Sequence, residues 1–349
     1  MRVFLTGATG QVGQAVRRRM AAEGVPVHAL TRGPVAAAVS AAGEDITWFQ
    51  GDLGDPSAMA AAAVGCDVAV HAARECAHDA SLEVLGWTNV AGTENALKAA
   101  RHAGCKRFVH VGCVDVTLAD HDRVNWNEDK ALGHRPKAPH ARTELEAEEL
   151  VIGLGDQRMS TVVLRAATTW GPDDRRLLPR IVRESRAGGV LLVGRGENLV
   201  ATCHVDNLAD AVLRAAQRAE AAGSLFHVTD DEMTLSRDFY GGLCAALGLP
   251  APREGAGVRV AALKARLGAS SLTLTDVIQR GRSTSFDVSP ARELLGYAPH
   301  VTVDQGLAAL AEAVTRRGGV EGILADARTT PGPDAIASQV RRAGGGAAS

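Results

Sequence analysis

Apolar residues recur along the first half of the chain in two alternating rhythms. Short apolar runs at 3–6, 25–31, 46–50, 68–71, 108–111 and 161–164 predict strands. Between them lie helix-length segments: 11–23 sets Val12, Ala15, Val16 and Met20 on one face with arginines opposite, and 89–103 repeats that spacing through Val90, Leu97 and Ala100. The alternation is a βαβ series and predicts a parallel sheet covered on both faces. After Gly171 the rhythm changes to helices separated by Gly/Pro/Asp-rich connections, with strand-like pieces at 190–193 and 225–228. That change predicts a smaller C-terminal lobe. From about Arg328 the chain turns to Pro, Gly, Ala and Ser, a composition that buries too little to offset its ordering entropy. A floppy tail is expected over 328–349.

Composition narrows the function classes. The 349 residues carry 38 basic and 40 acidic side chains, a formal charge of −2, which gives no bulk attraction to nucleic acid. With 46% hydrophobic and 22% charged residues the chain is of average globular make-up. No apolar run reaches the roughly 18 to 20 residues that cross a bilayer, and Met1 leads straight into a strand pattern without the layout of a signal peptide. A cytoplasmic protein without membrane insertion is expected. The cysteines at 66, 76, 105, 113, 203 and 244 show neither CxxC nor Cys/His ligand spacing, so reduced, mostly buried thiols and no metal site are expected.

The strongest chemical signal is TGATGQVG at 6–13, placed between a predicted strand and a predicted helix. Gly7 permits a tight turn, Gly10 lets backbone approach a pyrophosphate, and Gly13 lets the helix pack close to the strand, while the helix N-terminus offers N–H groups to phosphates. The expected architecture is therefore α/β, a Rossmann-type doubly wound parallel sheet over 1–170 with contributions from about 200–230. Residues 171–316 form mainly the substrate lobe. At the end of the second strand, where an NAD site usually offers an acid to the adenosine ribose, the chain reads Ala29-Leu30-Thr31-Arg32. Arg32 suits a 2′-phosphate, so NADP(H) is favoured and NAD(H) is the alternative; a solvent-exposed surface arginine is the plain reading. Asp52, in Gly51-Asp52-Leu53, is placed either to accept from an adenine amino group or to serve only as a turn aspartate.

These residues resemble the extended short-chain dehydrogenase/reductase superfamily, in particular its NAD(P)-dependent epimerase/dehydratase and 3β-hydroxysteroid dehydrogenase-like branch. The likeness spans about 1–314 and rests on TGATGQVG, GDL (51–53), VHAA (70–73), NVAGTENALKAA (89–100), KRFVHV (106–111), LRAATTWGPDD (164–174), HVDNLADA (204–211) and LLGYAP (294–299). It implies pyrophosphate contact at Gly7, Gly10, Gln11 and Val12 and adenine contact at Asp52 and Leu53, with Ala72 and Ala73 beside the cofactor riboses; Thr9, Gly13, Thr31 and Arg32 complete the expected cofactor-binding set. It also implies a small-molecule substrate, pairing as a homodimer, and a structural rather than chemical role for Asp206 and Asn207. The flanking segments 74–87 and 117–137 offer Arg74, His78, His121 and Trp126 as substrate contacts or as packing residues.

Catalysis in the resembling family uses a Tyr four residues before a Lys on one helix, with a Ser or Thr at the preceding strand end. Here His140 stands at the tyrosine position, Glu144 at the lysine position, and Gly112 and Cys113 at the hydroxyl position. The two tyrosines, Tyr240 and Tyr297, are followed four residues on by Cys244 and Val301, so no shift of alignment restores the pair. Histidine, with an ordinary pKa of about 6.5, is able to act as a general acid, and a pairing with Glu144 one turn away would favour imidazolium. Cys113 is either a reactive thiol or a small residue filling the serine's space. His140 is likewise either the proton donor or a helix-start residue after Pro139. The leading expectation is an NADP(H)-dependent oxidoreductase acting on a secondary alcohol or ketone. The alternatives are a silent NADPH-binding sensor or scaffold, and a non-redox isomerase or dehydratase using His140 and Glu144.

Overall fold

The computed structural model describes residues 1–35, 43–76, 80–130, 132–133 and 135–328. Seven strands form one sheet: β1 (Val3–Thr6), β2 (Val27–Thr31), β3 (Ile46–Gln50), β4 (Val68–His71), β5 (Arg107–Cys113), and then Ser160–Ala166 and Leu225–Val228. All neighbouring pairs are parallel, and the spatial order is β3, β2, β1, β4, β5, Ser160–Ala166, Leu225–Val228. The order reverses between β1 and β4, and at that reversal a doubly wound sheet opens a crevice at its C-terminal edge.

Period-two alternation explains the layers. Val3, Leu5, Val27, Ala29, Val109 and Val111 face one side, where they pack with residues of α1 (Gln11–Ala22) and of the helix Val205–Gln217. Phe4, Leu30, Ala69 and Phe108 face the other, against α2 (Pro56–Ala63) and residues Ala96, Leu97 and Ala100. The predicted strand at 25–31 starts two residues late because Pro26 has no N–H for the ladder; its carbonyl instead accepts from Val3 N at 3.0 Å. The helix expected at 89–103 is a composite of α3 (Leu82–Leu85), a π-helical turn (Gly86–Ala91) and α4 (Gly92–Ala103), closed by Gly104 at φ +84°. The next helix, α5 (Pro139–Leu154), begins with proline at its first position.

Beyond the sheet, Trp170, Ile181, Val182, Phe239, Leu243 and Leu310 build a second core. The expected strand at 190–193 forms only a single bridge, Leu191 to Arg253, because its apolar residues are buried by side-chain packing into two separate clusters rather than by a ladder. Asp230 ties this region to the sheet, accepting from Trp170 Nε1 at 3.0 Å, Thr202 Oγ1 at 2.8 Å, His204 N at 2.6 Å and Asn207 Nδ2 at 2.8 Å. Asn207 also holds the backbone at His300 and Val301, a structural use of HVDNLADA. Of the expected tail only Arg328, the last residue of a helix from Val320, is described; 329–349 lie outside the described residues.

Candidate active site

The glycine turn joins β1 to α1 at the crevice. Gly7 has φ +71°, and a Cβ there would sit 2.6 Å from Ala73 N and 2.7 Å from the Ala72 carbonyl carbon. A side chain at Gly13 would lie 2.1 Å from Gly7 O, whereas at Gly10 the nearest atom is Gly7 O at 3.3 Å. Gly7 and Gly13 are thus required by backbone packing. Gly10 caps α1 without any side-chain bond, leaving the helix's first N–H groups for a ligand. Beside them Gln11 Nε2 is buried with no hydrogen-bond partner, and Thr9 is exposed, its carbonyl accepting from Gln14 Nε2 at 3.0 Å. Val12 is half-buried and packs on the sheet core. An open anion-binding turn with an orphaned amide fits a dinucleotide's pyrophosphate.

Farther along the same edge Arg32, Gln50, Gly51, Asp52 and Asp55 line an open recess. Partial burial lowers the pKa of the Arg32 guanidinium, with Asp52 and Glu75 opposing that shift and Arg176 adding to it. Asp52 Oδ1 accepts from Gly54 N at 2.7 Å, so the turn role is present. Leu53 is buried beneath Gly92 with its carbonyl taken by Asn95 Nδ2 at 2.9 Å, and buried Thr31 accepts Gly51 N–H at 2.9 Å.

The second half of the site gathers around the start of α5. His140 is 2% exposed, and its Nε2 lies 3.2 Å from Asp115 Oδ2, which also accepts from Gln279 Nε2 at 3.0 Å. Asp115 lines a cavity with Thr117, His121, Thr168, Gln279 and Arg282, walled on other sides by Leu118, Val200, Ile278 and Phe286. Asp115 therefore fronts the cavity and His140 stands behind it. Glu144 does not hydrogen-bond His140: neither of its buried oxygens has a hydrogen-bond partner, and its ion pair is with Arg74 Nη1 at 3.7 Å. Burial pushes its carboxyl up to about 7, against the pull of Arg74 and His140. Burial, with the nearby Glu144 and Asp115 carboxylates, also raises the Cys113 thiol, so it persists as a protonated thiol.

Among the residues offered by the flanking segments, His121 is exposed and lines the cavity, while His78 lies outside the described residues. Trp126 packs on the sheet core and carries Arg123 and Lys130 over its ring, each 5.0 Å from the centroid. Asp115 and Gln279 were not singled out by the sequence. The only local hint was that Asp115 follows Cys113 by two residues; nothing marks Gln279, 164 residues away.

A parallel sheet with a glycine turn at its crevice and a polar cluster across it defines a dinucleotide-binding protein of the short-chain dehydrogenase type. The NAD dependent epimerase/dehydratase family matches residues 3–228, and the chain belongs to it. It is 33% identical over 326 residues, 90% of this chain and 96% of the relative, to 4-hydroxy-2-methyl-3-oxo-4-farnesyl-3,4-dihydroquinoline-1-oxide ketoreductase of Stigmatella aurantiaca. It is 31% identical over 325 residues, covering 88% and 97%, to 2-alkyl-3-oxoalkanoate reductase of Stenotrophomonas maltophilia. In fold it resembles MoeE5 in complex with UDP-glucuronic acid and NAD, with a TM-score of 0.73 at 22% identity over 90% of this chain and 99% of that one. No helix among the described residues is long and apolar enough to cross a membrane.

Proposed function

We propose that the chain is an NADP(H)-dependent reductase interconverting a ketone and a secondary alcohol on a substrate with an apolar body, with His140 in the place of the usual tyrosine. The observation that carries this reading is the contact of His140 Nε2 with Asp115, the carboxylate that fronts the cavity. Two relatives named as reductases of 3-oxo compounds, one bearing a farnesyl and the other an alkyl group, support the substrate class. So do the apolar cavity walls at Leu118, Val200, Ile278 and Phe286.

Gly7, Gly10, Gln11 and the α1 N-terminus would hold the pyrophosphate, and Arg32 the 2′-phosphate. When bound, the nicotinamide supplies the two electrons of the reduction. Asp115, lying between the imidazole and the cavity, would pass the His140 proton on to the carbonyl oxygen as it becomes a hydroxyl, and would be reprotonated through His140. Gln279, bonded to the same carboxylate oxygen, fixes Asp115 from the opposite wall. The separate reading as a silent cofactor-binding protein draws on the near-complete burial of His140.

The test is oxidation of NADPH by the purified chain against a panel of 2-alkyl-3-oxo acids and related ketones. His140→Phe is expected to lower kcat about 10²- to 10⁴-fold with cofactor affinity kept. Turnover undiminished in that variant would remove His140 from the mechanism. Tight NADPH binding with no turnover across the panel would favour the silent reading.

A further inference from the structure

The cavity fronted by Asp115 is also lined by a buried cation, Arg123. Arg123 opens the short strand Arg123–Trp126, which runs parallel to Thr284–Phe286. Its backbone N–H donates to Ser283 O at 2.7 Å, which fixes it beside Thr284 and Phe286 on the cavity wall. The residue is 4% exposed, and its Nε is buried with no hydrogen-bond partner. Among the described residues its guanidinium forms no ion pair and no hydrogen bond, and it rests on the face of the Trp126 ring. The other arginine of the cavity differs: Arg282 gives two bonds to Asp120 Oδ1, from Nε at 3.1 Å and from Nη2 at 2.7 Å.

Arg123 does not escape by losing its proton. Burial lowers its pKa only to about 10, so it carries its charge at neutral pH. Burying an unpaired charge is strongly unfavourable, and the face of one indole offsets only a small part of that cost. An anion in the cavity supplies the missing partner, and a carboxylate suits it because two oxygens match the guanidinium fork. Two carboxylates repel one another, so the acid group of such a ligand lies at Arg123 and away from Asp115, which is left to an uncharged carbonyl. Leu118, Val200, Ile278 and Phe286 are left to an apolar chain.

We propose that Arg123 is a receptor for a substrate carboxylate, so that the cavity selects an oxo acid with an apolar chain over a neutral ketone. The ketone rests on the reductase reading above; the carboxylate rests on Arg123 itself.

The experiment is calorimetric titration of the full chain with 3-hydroxydecanoate and with its methyl ester, in the presence of NADPH, which does not react with an alcohol. The acid is expected to bind about tenfold or more tighter than the ester. Acetate, which has the charge without the chain, is expected to bind at least about a hundredfold more weakly than the hydroxy acid. The preference for acid over ester should vanish in Arg123→Met, whose stem still covers Trp126, and survive in part in Arg123→Lys. It should be unchanged in Lys130→Met, which removes the other cation from the same ring. Equal affinity of the wild-type chain for acid and ester would overturn the proposal, a comparison that holds even if Arg123→Met does not fold. So would binding of neither, acetate bound as tightly as the hydroxy acid, or a preference kept in Arg123→Met. Acid binding without NADPH oxidation on any oxo acid would keep the receptor and remove the reductase. Equal turnover of oxo acids and their esters would keep the reductase and remove the receptor.

Discussion

Arg32 and Asp52 share one recess at the ends of β2 and β3, and their opposed charges set what it prefers. A 2′-phosphate adds charge-assisted bonds to a guanidinium that a 2′-hydroxyl does not make, and Asp52 already spends one oxygen on Gly54. Arg32→Ala is therefore expected to weaken NADPH binding about tenfold or more while changing NADH binding less than about threefold, measured by fluorescence titration. Equal losses would refute the 2′-phosphate assignment. At this scale the sequence names the residues and the structure names their partners. Cys113, His140 and Glu144 are picked out by their offsets from the motifs. That His140 meets Asp115, and Glu144 meets Arg74, depends on chain segments 25 and 70 residues apart.

The elements were legible where local rules act alone. Strands at 3–6, 46–50, 68–71 and 225–228 have the expected bounds, since each is a short apolar run ended by polar or glycine residues. The strands expected at 108–111 and 161–164 run longer, as Arg107–Cys113 and Ser160–Ala166, while Pro26 removes a ladder donor at 25–31 and 190–193 finds burial without a strand partner. Glycines give a sharp test of packing between elements. Gly13 lies on α1 against the Gly7 carbonyl, and an added Cβ would force the helix off the strand. Gly13→Ala is expected to destabilise the fold by about 2 kcal/mol and to weaken cofactor binding. Gly153, inside α5 with nothing near its Cβ position, should instead gain about 0.5 kcal/mol on change to alanine. Urea unfolding of the two variants checks both signs, and equal effects would show that the glycine turn does not constrain α1.

Across the whole molecule, buried titratable groups oppose one another. Burial pushes His71 down to about 4 and His227 down to about 3, and holds His110, 5.7 Å from the His71 ring, well below its usual value. Their contribution is complete above about pH 6.5 and is lost as pH falls towards the folded values. Burial raises Glu144 to about 7 and Asp174 to about 6, so their contribution is complete below about pH 4.5 and is lost as pH rises through those values. Between about pH 4.5 and 6.5 three lowered histidines outnumber the two raised carboxyls, so stability falls as pH drops, and below that window Glu144 no longer opposes them. Each unmatched proton changes stability by about 1.4 kcal/mol per pH unit. Unfolding free energy is therefore expected to fall by about 1.4 kcal/mol per pH unit or more from pH 6.5 to 4.5 and more steeply just below. Glu144→Gln should steepen the upper window by removing an opposing slope, and His110→Leu should flatten the acid limb. Denaturant titrations across pH decide this, and a profile unaltered by either substitution would contradict the assigned burial.

By itself the sequence determined the βαβ rhythm and the glycine turn, because each is written in residues within a few positions of one another. Local spacing fixes which backbone is strand or helix and which face is apolar. Only the tertiary structure decided which polar groups share a site. Asp115, His140 and Gln279 come from the short turn after β5, the start of α5 and a helix far along the chain, and Asn89, bonded to Glu75 and Thr143, sets Arg74 against Glu144. Those neighbours follow from strand order and from helix packing across the sheet, and no local pattern encodes them.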